Sequence, residues 1–197
     1  MSRNKPKEKR IKEITEAATE IFVEKGYENA TMDAIAERAG MSKGGLYHHF
    51  KSKDVILMFV NQKISEHIEK IMYNALEMSS IKNGLLYYIK NYLHYWLEHP
   101  RETTFLFLSI TKMLDNPYLL DYYRQFTGEY MKYFEEAFKM GVESGEFIPH
   151  DTKTSAITLV AAMDGIIAYM ILDQKLSLEE VVKHFEHKFI TPIESKE

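Results

Sequence analysis

Between Thr31 and Lys53 the chain reads TMDAIAERAGMSKGGLYHHFKSK, and its hydroxyls, ammonium groups, phenol and imidazoles fall at spacings suited to gripping a polyanion. Thr31 is placed to cap a helix, after which Ile35, Ala36 and Ala39 form a short apolar stripe at helical spacing. Gly40 stops that helix, because glycine takes a left-handed backbone at little cost. Met41 is an apolar turn residue directed at the core, and Ser42 caps a second short helix over 43–49. Leu46 and Phe50 pack this second helix inward, which leaves Ser42, Lys43, Gly44, Tyr47 and His48 on its other side. Two helices joined by a short Gly-containing turn make a helix-turn-helix, a unit whose second helix enters the DNA major groove.

Each of these side chains has a role that its chemistry suggests. Thr31 and Ser42 offer a hydroxyl and a helix N-terminus to phosphate oxygens. Lys43 leads the recognition helix and can reach guanine O6/N7 or a phosphate. Gly44 has no Cβ, so the backbone can approach the groove closely. Tyr47 and His48 present a phenol and an imidazole outward. Lys53, just after Ser52, opens the next helix with an ammonium that can meet a phosphate at the edge of the footprint. His49 is read as facing the protein.

The order Phe22, Gly26, Tyr27, Thr31, Ile35, Ala36, Ala39, Gly40, Ser42, Gly44, Leu46, Tyr47, Phe50, Lys53 resembles the amino-terminal domain of the TetR family of bacterial transcriptional regulators. The resemblance runs from about Lys9 to Leu57, about a quarter of the chain. It implies that Tyr47 and His48 contact phosphates. It also implies an effector pocket in the remaining body, and a homodimer closed by the last two helices of each chain. One position departs from the pattern: Gly45 stands where many members carry a side chain that touches a base. Base readout is therefore expected to lean on Lys43, Tyr47 and close backbone approach.

Charge distribution fits one DNA-facing end. The net charge of −4 alone argues against a nucleic-acid binder. Residues 1–53, however, hold eleven Lys/Arg against eight Asp/Glu, and residues 54–197 hold 14 against 21. A basic head on an acidic body is the pattern of a protein that meets phosphate at one end. There is no cysteine, which excludes a disulfide framework and a thiol nucleophile and suits a reducing cytoplasm. No apolar run is read as approaching the ~20 residues of a membrane span, and the basic N-terminus lacks the apolar stretch of a signal peptide.

The elements that must position these groups are all helical. Residues 1–10 are read as a loose basic tail, followed by a first helix over about 9–25 with Ile11, Ile14, Ala18, Ile21 and Phe22 on one face. Gly26 ends it, and Tyr27 packs under the second helix. Beyond the reading unit the pattern predicts a long helix over about 52–79, then helices over about 82–99, 100–114, 116–144 and 151–173, and a last one opened by the capping box Ser177-Leu-Glu-Glu180. Gly141 and Gly145 are read as loosening and ending the fourth of these. No segment alternates with period two. The expected architecture is all-α: a three-helix helix-turn-helix domain, 1–52, and a helical effector-binding and dimerisation domain, 53–197.

Aromatic residues concentrate between Tyr73 and Phe138. Together they carry more Tyr hydroxyls than a dry core accommodates, since each buried one needs a partner. Adaptable Met side chains accompany them. A largely apolar cavity with a few polar groups is the usual small-molecule site. Tyr92, Trp96, Phe126, Tyr130 and Met163 are the residues expected to contact the effector. Asp164, alone among apolar neighbours, is read as a hydrogen-bonded structural acid. Ile157, Ala161, Gly165 and Ala168, with Val182, Phe185 and Phe189 on the last helix, carry the expected dimer interface. Two recognition helices about 34–36 Å apart would then read a near-palindromic duplex.

Enzyme signatures are absent from the spacing. Gly141-Val-Glu-Ser-Gly145 is not a nucleophile elbow, His184 and His187 lack a third metal ligand, and no phosphate loop or triad spacing occurs. The reading that follows is a cytoplasmic, homodimeric DNA-binding regulator without cofactor or metal, a repressor released by a small lipophilic or aromatic effector. The alternatives are an activator of the same architecture, a response to a protein partner, and a helical carrier or enzyme with a vestigial head.

Overall fold

A computed structural model of the chain describes residues 7–172 and 175–196, with the side chain of Phe126 outside that description. Every regular element among the described residues is helical, with one isolated antiparallel bridge between Phe147 and Glu194. The order is α1 Lys7–Asn29, α2 Met32–Arg38, α3 Lys43–His49, α4 Lys53–Leu76, α5 Ile81–Glu98, α6 Pro100–Asp115, α7 Pro117–Glu143, α8 Thr152–Leu172 and α9 Leu178–Phe185. A wider helical turn, Glu186–Ile190, and a tight one, Thr191–Ile193, finish the chain.

Local chemistry sets these boundaries. Helix α1 begins at Lys7, earlier than the sequence pattern suggests, and its regular part breaks at Gly26, whose φ is 72°. The Thr31 Oγ1 accepts from the Ala34 N–H at 3.1 Å, and the Ser42 Oγ accepts from the Gly45 N–H at 3.2 Å. Gly40, at φ 63°, lets the Gly40 N–H reach the Glu37 carbonyl and the Met41 N–H reach that of Ala36. That pair of bonds is the Schellman ending of a helix. At α9, Ser177 accepts from the Glu180 N–H and donates to its carboxylate. Gly141 does not loosen α7, which runs through it to Glu143. It is buried because the Phe147 ring lies where a Cβ would stand, 2.2 Å from that position. Asp173, the expected end of α8, and residues 1–6 of the expected tail lie outside the described residues.

The chain packs as two compact units. One comprises Met1–Glu66 and Pro100–Tyr122, the other His67–His99 and Tyr123–Glu197. Helix α6 therefore belongs with the reading helices, although in sequence it follows the body helix α5. The reason is apolar packing of α6 on α1: Phe105 and Phe22 are buried with ring centroids 5.8 Å apart. Full burial of an aromatic side chain stabilises by about 1.5–3 kcal/mol. In the second unit α5 buries Leu85, Tyr88, Ile89, Tyr92, Leu93 and Trp96, with α8 and α9 packed against it.

Candidate nucleic-acid interface

Helix α3 is held from beneath and bare above. Leu46 is fully buried and Phe50 is 5% exposed. Helix α2, which packs against α3, buries Ile35 and Ala36. Thr31, Ser42, Lys43, Gly44, Tyr47 and His48 are exposed. At 100° per residue, 43, 44, 47 and 48 fall within one arc of the helix, opposite Gly45 and His49. The Thr31 and Ser42 oxygens each accept one backbone N–H, and each hydroxyl keeps its own proton to donate. A Cβ at Gly44 would meet nothing within 4 Å, whereas one at Gly45 would lie 3.2 Å from Ser42 Oγ and 3.3 Å from Met41 Cε. Gly44 thus faces open space, and Gly45 faces the turn.

The charged residues are arranged in pairs that sequence spacing did not reveal. Lys43 Nζ lies 2.9 Å from Asp33, and this carboxylate holds the ammonium pKa above its ordinary value. Arg38 forks onto Glu24 at 2.8 and 3.0 Å and reaches Glu20 at 2.8 Å, clamping α2 to α1. The bond from Arg38 holds Glu24 below the usual carboxylate range. Two cations of α6 reach the same helix: Arg101 meets Glu20 at 3.4 Å, and Lys112 pairs with Glu28. Glu20 and Glu24 stand four residues apart on α1, a spacing that could have marked them as one acidic stripe. His49 is half-buried, and burial first, then the neighbouring His48, lowers its pKa.

Lys53 does not sit free at the edge of this face. Its ammonium donates to the carbonyls of Tyr27 at 2.8 Å, Glu28 at 3.2 Å and Ala30 at 3.2 Å, and lies 4.4 Å from the centre of the Tyr27 ring. The Tyr27 hydroxyl donates to Asp54 of the same helix as Lys53.

In the second unit the tyrosines form a hydrogen-bonded cluster. The Tyr92 hydroxyl donates to Asp164 Oδ1 at 2.6 Å, and the Tyr88 and Tyr130 hydroxyls share a bond of 2.6 Å. The Tyr88 and Tyr92 rings stack at 5.5 Å, Trp96 stands edge-on to Tyr92 at 6.0 Å, and Phe134 packs against Tyr88 and Tyr130. Burial pushes the phenols of Tyr88, Tyr92 and Tyr130 well up. Burial also raises Asp164, against the opposing pull of the Tyr92 hydroxyl. The expected effector residues Tyr92, Trp96 and Tyr130 are thus brought together, and Met163 is fully buried beside Asp164 in α8. The expected Phe126 lies outside the described side chains, while Tyr88 and Phe134 join the cluster although they are not among the expected effector contacts.

Helix α8 buries one side, through Ala156, Leu159, Val160, Met163, Ile167 and Met170, and leaves another open. Ile157 is 46% exposed, Ala161 and Gly165 are exposed, Ala168 is partly so, and Leu172 is 81% exposed. Val182 and Phe189 of the C-terminal segment are half-buried, but Phe185 is 6% exposed, filled in by its own chain rather than left for a partner. Contrary to the expectation that no run nears a membrane span, α8 is long and apolar enough to cross one by length and composition. Its apolarity reflects a helix with one side packed and another open. Among the described residues no group of three metal-binding side chains gathers.

A short helix seated on a buried partner, with hydroxyl, ammonium, phenol and imidazole on its open side, has the build of a helix-turn-helix DNA-reading unit. Comparison with known proteins specifies which kind. The model of bacterial regulatory proteins of the tetR family matches residues 14–58, and that of the QacR-like protein C-terminal region matches residues 73–194. The chain belongs to the TetR family of DNA-binding transcriptional regulators.

Its relatives are regulators too. The transcriptional activator FasR of Mycolicibacterium smegmatis is 42% identical over 75 residues, which cover 38% of this chain but only 34% of FasR. The fatty acid metabolism regulator protein of Bacillus subtilis is 23% identical over 177 residues, covering 88% of this chain and 90% of that protein. In fold, the chain matches the transcriptional regulator FadR from Bacillus subtilis, solved in complex with stearoyl-CoA, with a TM-score of 0.77 and 22% identity over 92% of this chain and 98% of that one.

Proposed function

We propose that this regulator is a cytoplasmic homodimeric repressor that holds a near-palindromic operator and leaves it when a small lipophilic or aromatic effector enters the body. The observation that carries the DNA half is the exposed set Thr31, Ser42, Lys43, Gly44, Tyr47 and His48 over a fully buried Leu46. In this reading residues 1–52 form the DNA-binding domain and 53–197 the effector and dimer domain. The hydroxyls and His48 position the head on phosphates, and Lys43 and Tyr47 read base edges. The effector half is supported by the cluster of Tyr88, Tyr92, Trp96 and Tyr130 with Asp164, aromatic side chains joined by few polar groups, the composition of a small-molecule site. A relative solved with stearoyl-CoA is in keeping with a lipophilic ligand. The open stripe Ile157, Ala161, Gly165, Ala168 and Leu172, with Val182 and Phe189, supplies the dimer face.

Release is a linkage. An effector can shift binding only by its differential affinity for the two states, a coupling of about 1–3 kcal/mol. Helix α6 grips α1 through Arg101–Glu20 and Lys112–Glu28, and so belongs to the same unit as the reading helices. The test is displacement of the purified protein from the duplex flanking its gene by fatty-acyl compounds, lipophilic cations and aromatic acids. Release by one class supports the reading, and indifference to all three counts against it. A second reading, activation, is favoured by the likeness to FasR. Reporter output with the gene deleted separates the two: it rises for a repressor and falls for an activator.

A further inference from the structure

We infer that Lys53 is a positioning residue that locks the end of α1 to the start of α4, and that it makes no phosphate contact of its own. The inference rests on DNA binding through α3. An ammonium has three N–H donors and no acceptor. In this structure all three are matched, to the carbonyls of Tyr27, Glu28 and Ala30. Tyr27 and Glu28 lie in the last turn of α1 and Ala30 follows it, where carbonyls lack regular helical donors, although that of Tyr27 also accepts from the Ala30 N–H at 3.3 Å. The same ammonium lies 4.4 Å from the centre of the Tyr27 ring, and the Tyr27 hydroxyl returns a bond to Asp54, the next residue of α4. Lys112 of α6 adds a second cation 5.1 Å from the same ring. Tyr27 is thus held on its ring and at its hydroxyl, and the Lys53 side chain is half-buried among these partners. A phosphate could take this ammonium only by breaking these bonds at the end of α1. Lys53 therefore fixes the turn from which α2 and α3 are launched, with Thr31 directly after the last carbonyl it binds.

The test uses the full-length protein, a random-sequence duplex and the duplex flanking its gene, each over a salt series. Three proteins are compared: wild type, Lys53→Met, which keeps the apolar stem, and Lys53→Arg, which keeps the charge. A lysine on a phosphate contributes about one to the slope of log affinity against log salt. The expected result is that Lys53→Met weakens binding to both duplexes with the slope unchanged. Lys53→Arg should fail to restore affinity, because a planar fork cannot aim at three converging carbonyls. Both variants should melt below wild type. A slope reduced by about one in Lys53→Met and regained in Lys53→Arg would overturn the inference. So would an unchanged melting temperature in Lys53→Met, a readout that needs no DNA. Absence of salt-sensitive binding by the wild type would instead indict the DNA reading, and the melting comparison would still decide the role of Lys53.

Discussion

The Lys43 ammonium rests 2.9 Å from the Asp33 carboxylate, so the leading cation of the recognition helix is tied to an acid of the preceding helix. Both side chains are more than half exposed, and such a pair is worth little in stability. Its consequence is for binding. Before Lys43 can meet DNA it must share or leave Asp33, and the carboxylate repels phosphate. Asp33→Asn should raise affinity for random duplex several-fold at low salt and narrow the margin between operator and random DNA. Filter binding on both duplexes checks this, and unchanged random-duplex affinity would show that Asp33 lies off the footprint.

Gly44 separates stability from recognition. A Cβ there meets nothing, and alanine in place of a helical glycine gains about 0.5–1 kcal/mol. Gly44→Ala should therefore melt higher than wild type while binding operator more weakly, because the added methyl stands where the backbone approaches the groove. Higher stability with undiminished binding would place Gly44 away from the DNA.

The Arg38 fork onto Glu24 and Glu20 ties the first helix of the reading unit to α1. Arg38→Lys keeps the charge and loses the planar fork. Operator affinity should fall several-fold in Arg38→Lys with the salt slope intact, since the residue positions rather than contacts. A flattened slope would make Arg38 a phosphate contact instead.

Asp164 carries the pH dependence of the second unit. Its Oδ1 end meets the buried Tyr92 hydroxyl although the residue as a whole stays exposed. Burial raises its pKa in the fold above that of the unfolded chain. A raised acid favours the fold below the unfolded pKa, and that contribution is lost as pH rises through the folded value. Asp164→Asn should remove this loss, so the variant should melt closer to wild type near pH 4 and gain on it toward pH 8. A constant difference across that range would contradict the assignment. Tyr92→Phe, which deletes the hydroxyl alone, should alter effector release while leaving operator affinity within about twofold, because Tyr92 belongs to the second unit and the reading helices to the first.

Much of the fold is legible in residue order because its signals are local. Thr31, Ser42 and Ser177 cap the helices that follow them, Gly40 ends one, and the Pro residues at 100 and 117 open two more. Each involves partners within four residues. What residue order hid depends on contacts far apart in the chain. That α6 packs with α1 follows from Phe105 meeting Phe22, more than eighty positions away, a pairing that no periodicity encodes. Lys53 looked like a free cation because its three acceptors are backbone carbonyls, which carry no residue-type signature. Phe185 looked like an interface residue because an apolar side chain reads the same whether its own chain or another covers it. Gly141 looked like a helix breaker, and only the Phe147 ring above it shows why a side chain is excluded there.

DNA reading by α3 is what the proposed function requires. The most direct measurement is equilibrium binding of the purified full-length protein to the duplex flanking its own gene and to random duplex, each over a salt series, beside Tyr47→Ala. The expected result is steeply salt-sensitive binding, a clear preference for the flanking duplex, and loss of that preference in Tyr47→Ala. Equal binding to both duplexes, unaffected by Tyr47→Ala, would contradict it.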